Sequence, residues 1–203
     1  MKTAIIVHGT FDTREEYLQQ YECGPMETDS HWMPWLARNL ILNDIQAQRP
    51  EMPHPYDKYV KYSEWAETIG NFKINKDTVL IGHSAGTGFL LKYLAEHPEM
   101  RVGKLVLVAP WVDPTGINGD FMKGWDSDPN LINRAGGVDM IYSTDDINHP
   151  DKMMIIDSVK QIVEKYGNEP NFRIHKFENK GHFTRRIGRE FPELLEAIIG
   201  KTK

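Results

Sequence analysis

Five short apolar runs punctuate this chain, each bounded by Gly, Pro or Asp: Ala4 to Val7, Val79 to Ile81, Leu105 to Ala109, Val138 to Tyr142 and Phe172 to Phe177. Several are apolar at consecutive positions rather than alternating. A strand buries both of its faces only where helices cover the sheet on both sides, which is the habit of parallel sheets. Between the runs lie segments with apolar residues three and four apart, as helices require. These are Trp32, Trp35, Leu36 and Leu40; Val60, Trp65, Ile69 and Phe72; Phe89, Leu90, Tyr93 and Leu94; Met153, Ile156, Val159 and Val163; and Leu194, Leu195, Ile198 and Ile199. A further short strand fits Ile45 to Gln48, before the turn-forming run Pro50 to Pro55. The alternation of strand and helix predicts an α/β class fold, a doubly wound and mainly parallel sheet with helices on both faces.

At 203 residues with 40% apolar content, the chain suits one domain over 1–203 with a core that needs neither disulfides nor a structural metal. Its single cysteine, Cys23, fits a reducing compartment. The first apolar run is four residues long, far short of a signal peptide or a spanning helix, so a soluble, cytoplasmic protein is expected. A net charge of -5 and scattered basic residues give no reason to bind nucleic acid or an anionic membrane. Arg185, Arg186 and Arg189 form the one dense basic cluster and read as a solvated helix start.

The sharpest chemical feature is Gly82-His83-Ser84-Ala85-Gly86, a G-x-S-x-G set directly after an apolar run and directly before a helical pattern. A nucleophilic serine needs a sharp strand-to-helix turn that lifts its Oγ above the sheet, and only small neighbours let that turn close. The first backbone N–H groups of the helix face the same side, which makes the Ala85 N–H a candidate oxyanion donor. Serine also needs a base, and the base needs an acid; in this architecture the chain order is Ser, Asp or Glu, His. His97 closes the helix after Ser84, His175 lies within a strand, and His149 sits in a loop. His182 follows the last strand and precedes the last helix, where an imidazole can reach back over Ser84. For the acid, Asp145 and Asp146 both follow the run Val138 to Tyr142, Asp113 follows Leu105 to Ala109, and position alone does not choose among the three.

The strings Gly82 to Gly86, Ser143-Thr144-Asp145-Asp146 with Pro150 four positions on, and Gly181-His182-Phe183 together resemble the small serine hydrolases of the retinoblastoma-binding protein 9 and YdeN family. The resemblance spans nearly the whole chain. It implies a compact α/β-hydrolase with little or no cap and a triad of Ser84, Asp146 and His182. It also implies that the loop after the first strand, His8-Gly9-Thr10-Phe11, supplies a second oxyanion donor through the N–H of Thr10 or Phe11. The Leu-x-Cys-x-Glu string tied to retinoblastoma binding in the mammalian relative is absent, so that partner is not implied.

The expected chemistry is hydrolysis of a small-molecule acyl substrate, most simply a carboxylic ester, without metal or organic cofactor. Asp113 to Gly137 is the least regular stretch and too short for a large lid, which predicts an open, shallow site. Within and beside it, Trp111, Phe121 and Trp125 are candidates to line a small acyl pocket, though packing aromatics have the same look. The alternative is a binding or scaffolding protein on a hydrolase fold, and labelling by a fluorophosphonate separates the two.

Overall fold

A computed structural model describes residues 1–11, 31–56, 60–116, 119–146, 154–184 and 187–200. Cys23, His149, Pro150, Met153, Arg185 and Arg186 lie outside those residues. In chain order the elements are β1 (Lys2–Val7), α1 (Met33–Leu42), β2 (Ile45–Gln48), α2 (Tyr62–Gly70), β3 (Thr78–His83), α3 (Ala85–Glu96), β4 (Lys104–Val108), β5 (Val138–Ser143), α4 (Met154–Tyr166), β6 (Phe172–Phe177) and α5 (Pro192–Ile199). The strands form one sheet in the order β2-β1-β3-β4-β5-β6. Every pairing is parallel.

The consecutive apolar positions are explained by two cores, one on each face. Successive side chains of a strand point to opposite sides. Ile5 and Val7 therefore join Leu80, Leu105, Leu107 and Met140 beneath α2, α3 and α4, where Trp65, Phe89 and Ile162 pack. Ala4 and Ile6 join Val79, Ile81, Val106 and Val108 on the other face, against Trp32, Leu36 and Leu40 of the α1 region and Leu194 of α5. Each such Leu or Ile taken fully out of water contributes about 1.5–3 kcal/mol. The edge strand β6 has less cover, and its Ile174 is left exposed.

Two boundaries differ from the periodic reading. Val60 and Phe72 fall outside α2, because Lys61 is still extended at φ -95° and ψ 119° and Asn71 closes the helix. Both nevertheless pack on the core, so their apolar spacing reports burial rather than helix. Strand β3 also runs on through Gly82 and His83, where it pairs with Val7 of β1 and Val108 of β4. The stretch from Asp113 to Gly137 is irregular, with a single 3₁₀ turn at Ile132–Arg134 among its described residues.

From β1 the chain moves outward to β2 and then returns across β1 to β3, reversing the winding direction. At such a switch point the loops at the strand carboxyl ends part and leave a crevice. The His8 to Phe11 loop and the Ser84 turn border it.

Candidate active site

Ser84 occupies the single residue between β3 and α3 at φ 52° and ψ -122°. For a residue with a side chain this backbone costs about 1–3 kcal/mol and persists only when neighbours enforce it. They do so from three directions. The Ser84 N–H donates to the Val108 carbonyl at 3.0 Å, and its own carbonyl accepts from the Thr87 hydroxyl at 2.6 Å and the Trp111 N–H at 3.3 Å. Behind the turn, a Cβ added to Gly86 would stand 2.5 Å from the carbonyl oxygens of Val7 and His8, so only glycine lets α3 press this close to β1. The side chain of Thr87 and the backbone of Trp111 thus belong to the turn, a role that no spacing in the sequence announces.

The loop after β1 lies directly against the serine: a Cβ on Gly9 would be 2.9 Å from Ser84 Cβ and 3.4 Å from its Oγ. His8 fixes this loop. Its imidazole is fully buried, its Nδ1–H donates to the Gly9 carbonyl at 2.7 Å, and its Nε2 accepts from the Met52 N–H at 2.8 Å. A backbone N–H can only donate, so this geometry requires the neutral ring. Burial pushes the His8 pKa below its ordinary value, against the pull of Glu51 and the Gly9 hydrogen bond. Holding the Gly9 carbonyl toward His8 turns the Thr10 N–H of the same peptide the opposite way. Of the two donors considered in this loop, Phe11 is taken: its N–H donates to the Pro55 carbonyl at 2.6 Å. With the Phe11 N–H so engaged, Thr10 is the candidate donor carried forward.

The two neighbouring aspartates after β5 diverge. Asp146 is fully buried and accepts from His182 Nδ1 at 2.9 and 3.1 Å through its two oxygens. Asp145 instead accepts the Ser143 hydroxyl and, at 3.2 Å, the Gly181 N–H. Asp113 sits at φ 51° in its own turn, with the Thr115 hydroxyl 3.4 Å from its carboxylate. His182 keeps 17% of its side chain in solvent, and its ring lies 4.9 Å from that of His83, the residue before Ser84. The His182 carbonyl accepts from His83 Nε2 at 2.9 Å.

Trp111, Phe121 and Trp125 are buried members of the core under α2, α3 and α4. Phe121 packs edge-on against Trp65 and also lines a cavity of about 350 Å³ with Val60, Tyr62 and Lys92. Trp125 packs edge-on against Tyr166. Their first role is packing, and Ser84 does not border that cavity.

Three comparisons with known proteins bear on this arrangement. Residues 26–188 match the family model described as serine hydrolase. The protein YdeN of Bacillus subtilis (strain 168) is 29% identical over 124 residues, which take in 58% of this chain and 64% of that protein's length. The crystal structure of the B. subtilis ydeN gene product superposes with a TM-score of 0.75 at 21% identity, covering 98% of this chain and 97% of that one. Est1E from Butyrivibrio proteoclasticus, solved with bound ferulic acid, gives a TM-score of 0.64 at 11% identity over 98% of this chain and 86% of its own. The shared architecture is that of a minimal α/β-hydrolase.

Proposed function

The chain belongs to the serine hydrolase family, and on that premise we propose that it cleaves small carboxylic esters through an acyl-Ser84 intermediate. The observation that carries this reading is the pairing of His182 with the buried Asp146, brought against the strained turn that presents Ser84. His182 takes the Ser84 hydroxyl proton as Oγ bonds to the substrate carbonyl carbon. The negative charge that develops on the carbonyl oxygen would be met by the N–H groups of Ala85 and Thr10, backbone donors whose dipoles need little reorganisation. His182 then delivers its proton to the departing alkoxide as the ester C–O bond breaks. Water, deprotonated by the same imidazole, releases the acid and restores Ser84. Throughout, Asp146 holds the Nδ1–H and stabilises the imidazolium.

Every reacting group in this scheme is a side chain or backbone N–H of the chain itself. The substrate we propose is a small molecule with a short acyl group, since each methylene left in water forfeits about 0.8 kcal/mol in a shallow site. A soluble, cytoplasmic setting with neither nucleic acid nor membrane as partner belongs to the same proposal; among the described residues no helix is long and apolar enough to cross a membrane. Wild-type protein should be labelled by a fluorophosphonate and should hydrolyse p-nitrophenyl acetate or butyrate with higher kcat/KM than the palmitate. Ser84→Ala should lose labelling and turnover, the latter by about 10⁶-fold. Undiminished labelling of Ser84→Ala would falsify the assignment.

A further inference from the structure

The segment that carries His182 holds an unfavourable shape: Asn179, Gly181 and Phe183 all have positive φ, at 60°, 55° and 54°. Such a backbone needs outside support, and the support comes from two sides. On the β5 side, the Lys180 N–H donates to the Ser143 hydroxyl at 3.1 Å and the Gly181 N–H to Asp145 at 3.2 Å. On the other, the next two carbonyls are captured by ring N–H groups, His182 by His83 Nε2 and Phe183 by Trp32 Nε1, each at 2.9 Å. The Trp32 and His83 rings meet edge to face with centroids 5.9 Å apart.

Of these four supports, His83 alone is covalently continuous with Ser84. A carbonyl can only accept, so His83 Nε2 must carry the hydrogen. Its other nitrogen, Nδ1, is buried with no hydrogen-bond partner among the described residues, and a proton there would be stranded. The ring is therefore held as a neutral, one-directional donor. We infer that His83 is a positioning residue that registers His182 against Ser84, through the bond from its Nε2–H to the His182 carbonyl. Any displacement of the turn that carries Ser84 is passed on to the base, because the bond is short and its donor ring is buried. This inference rests on the esterase reading above and gives a purpose to a position that the G-x-S-x-G pattern leaves open.

The test compares His83→Phe, which keeps a ring against Trp32 and loses the donor, with His83→Gln, whose amide N–H reaches near the place of Nε2. With p-nitrophenyl acetate, His83→Phe should lower kcat by about 10- to 100-fold, the scale of an ångström-sized misplacement, while KM stays within about twofold. Fluorophosphonate labelling should slow in parallel, and His83→Gln should recover most of both. Should His83→Phe fail to fold, His83→Asn against His83→Gln gives the same reading, since the shorter amide falls a methylene short of the carbonyl. Wild-type kcat in His83→Phe, or Asn as active as Gln, overturns the inference. So does equal impairment of Phe and Gln with equally lowered melting temperatures, which would assign the ring to packing. Ser84→Ala run alongside separates the two levels. If it is inactive while His83→Phe is unimpaired, the positioning role alone falls; if Ser84→Ala still turns over, the esterase reading falls and takes this role with it.

Discussion

The turn that presents Ser84 and the loop that presents His182 solve one problem, a strained backbone held still, by different means. At Ser84 the strain is enforced mainly by backbone against backbone, with one side-chain hydroxyl, that of Thr87, on the Ser84 carbonyl: Gly86 lies where any Cβ would strike the carbonyls of Val7 and His8, and β4 holds the Ser84 N–H. At His182 it is enforced by side chains reaching in from Ser143, Asp145, His83 and Trp32. The first arrangement rests chiefly on backbone groups that substitution cannot remove, and at Gly86 it tolerates little change of residue. The second draws its supports from three separate parts of the chain, so it can be dismantled one hydrogen bond at a time.

The largest separation of the two should come from the adjacent aspartates. Asp146→Asn leaves the shape of the pocket and removes the acceptor that holds the His182 tautomer, so turnover of p-nitrophenyl acetate should fall by roughly 10⁴-fold. Asp145→Asn keeps an acceptor oxygen for the Gly181 N–H and the Ser143 hydroxyl but loses the charge that strengthens both bonds, and it should cost stability, about 1 kcal/mol, more than turnover. Asp113→Asn should be close to neutral for turnover, since the His182 ring pairs with Asp146 and the Asp113 carboxylate accepts from Thr115 in its own turn. Steady-state kinetics with melting curves on the three variants checks the ranking. A dominant effect at Asp145 would merge the acid with the loop support and erase the distinction.

That ranking also shows what could be read from residue order. The six strands and the Ser84 turn were legible because their causes are short-range: apolar runs of strand length, and glycines two residues either side of a serine. Position alone could not choose among Asp145, Asp146 and Asp113, because that choice depends on which carboxylate faces a ring 36 residues further on. The same holds for His8 and His83. Both stand in strings that were noticed for their neighbours, yet their partners, Met52 and His182, are 44 and 99 residues away. The aromatics near Asp113 to Gly137 gave no usable signal, since burial in a core and lining of a pocket select the same residue types.

A second way to sharpen the contrast is to strain the Ser84 side directly. In a helix first turn, alanine would ordinarily be favoured over glycine, by up to about 1 kcal/mol. At Gly86 the sign should reverse, because the new Cβ would lie 2.5 Å from two backbone oxygens that cannot swing aside as a side chain could. Overpacking of this kind costs about 1–3 kcal/mol and occasionally more. A net loss near 2 kcal/mol, the upper cost less the propensity gain, corresponds to a drop of roughly 4–8 °C in Tm for a chain of this size. An unchanged or raised Tm in Gly86→Ala would show that α3 and β1 can part, and that the turn is not held by backbone contact.

The smallest expected effect is a pH dependence of stability that draws on both regions. Burial lowers the pKa of His8, and burial reinforced by the nearby His182 lowers that of His83 well below its ordinary value. A histidine whose folded pKa is depressed binds fewer protons in the folded than in the unfolded chain, so its contribution is whole above the unfolded value of about 6.5 and is lost as pH falls beneath it. Each of the two should therefore tilt stability by up to about 1.4 kcal/mol per pH unit between about pH 6.5 and its folded pKa, with no slope of this origin at pH 8. Asp139 belongs to a lower window: burial alone would raise its pKa, yet hydrogen bonds from Arg173, His175 and Lys104 bring it below the usual value, so its loss begins only near pH 4. Urea unfolding between pH 8 and 5 isolates the histidine range. His8→Gln, whose amide can still bridge Met52 and Gly9, and His83→Phe should each remove one step of the slope, and the double variant both. If the slope survives in the double variant, the protons are taken up elsewhere and neither ring is held neutral by the fold; if His83→Phe alone removes all of it, acid sensitivity belongs to the junction with the His182 loop, and the β1 loop beside Ser84 is held by backbone contact as firmly as the turn itself.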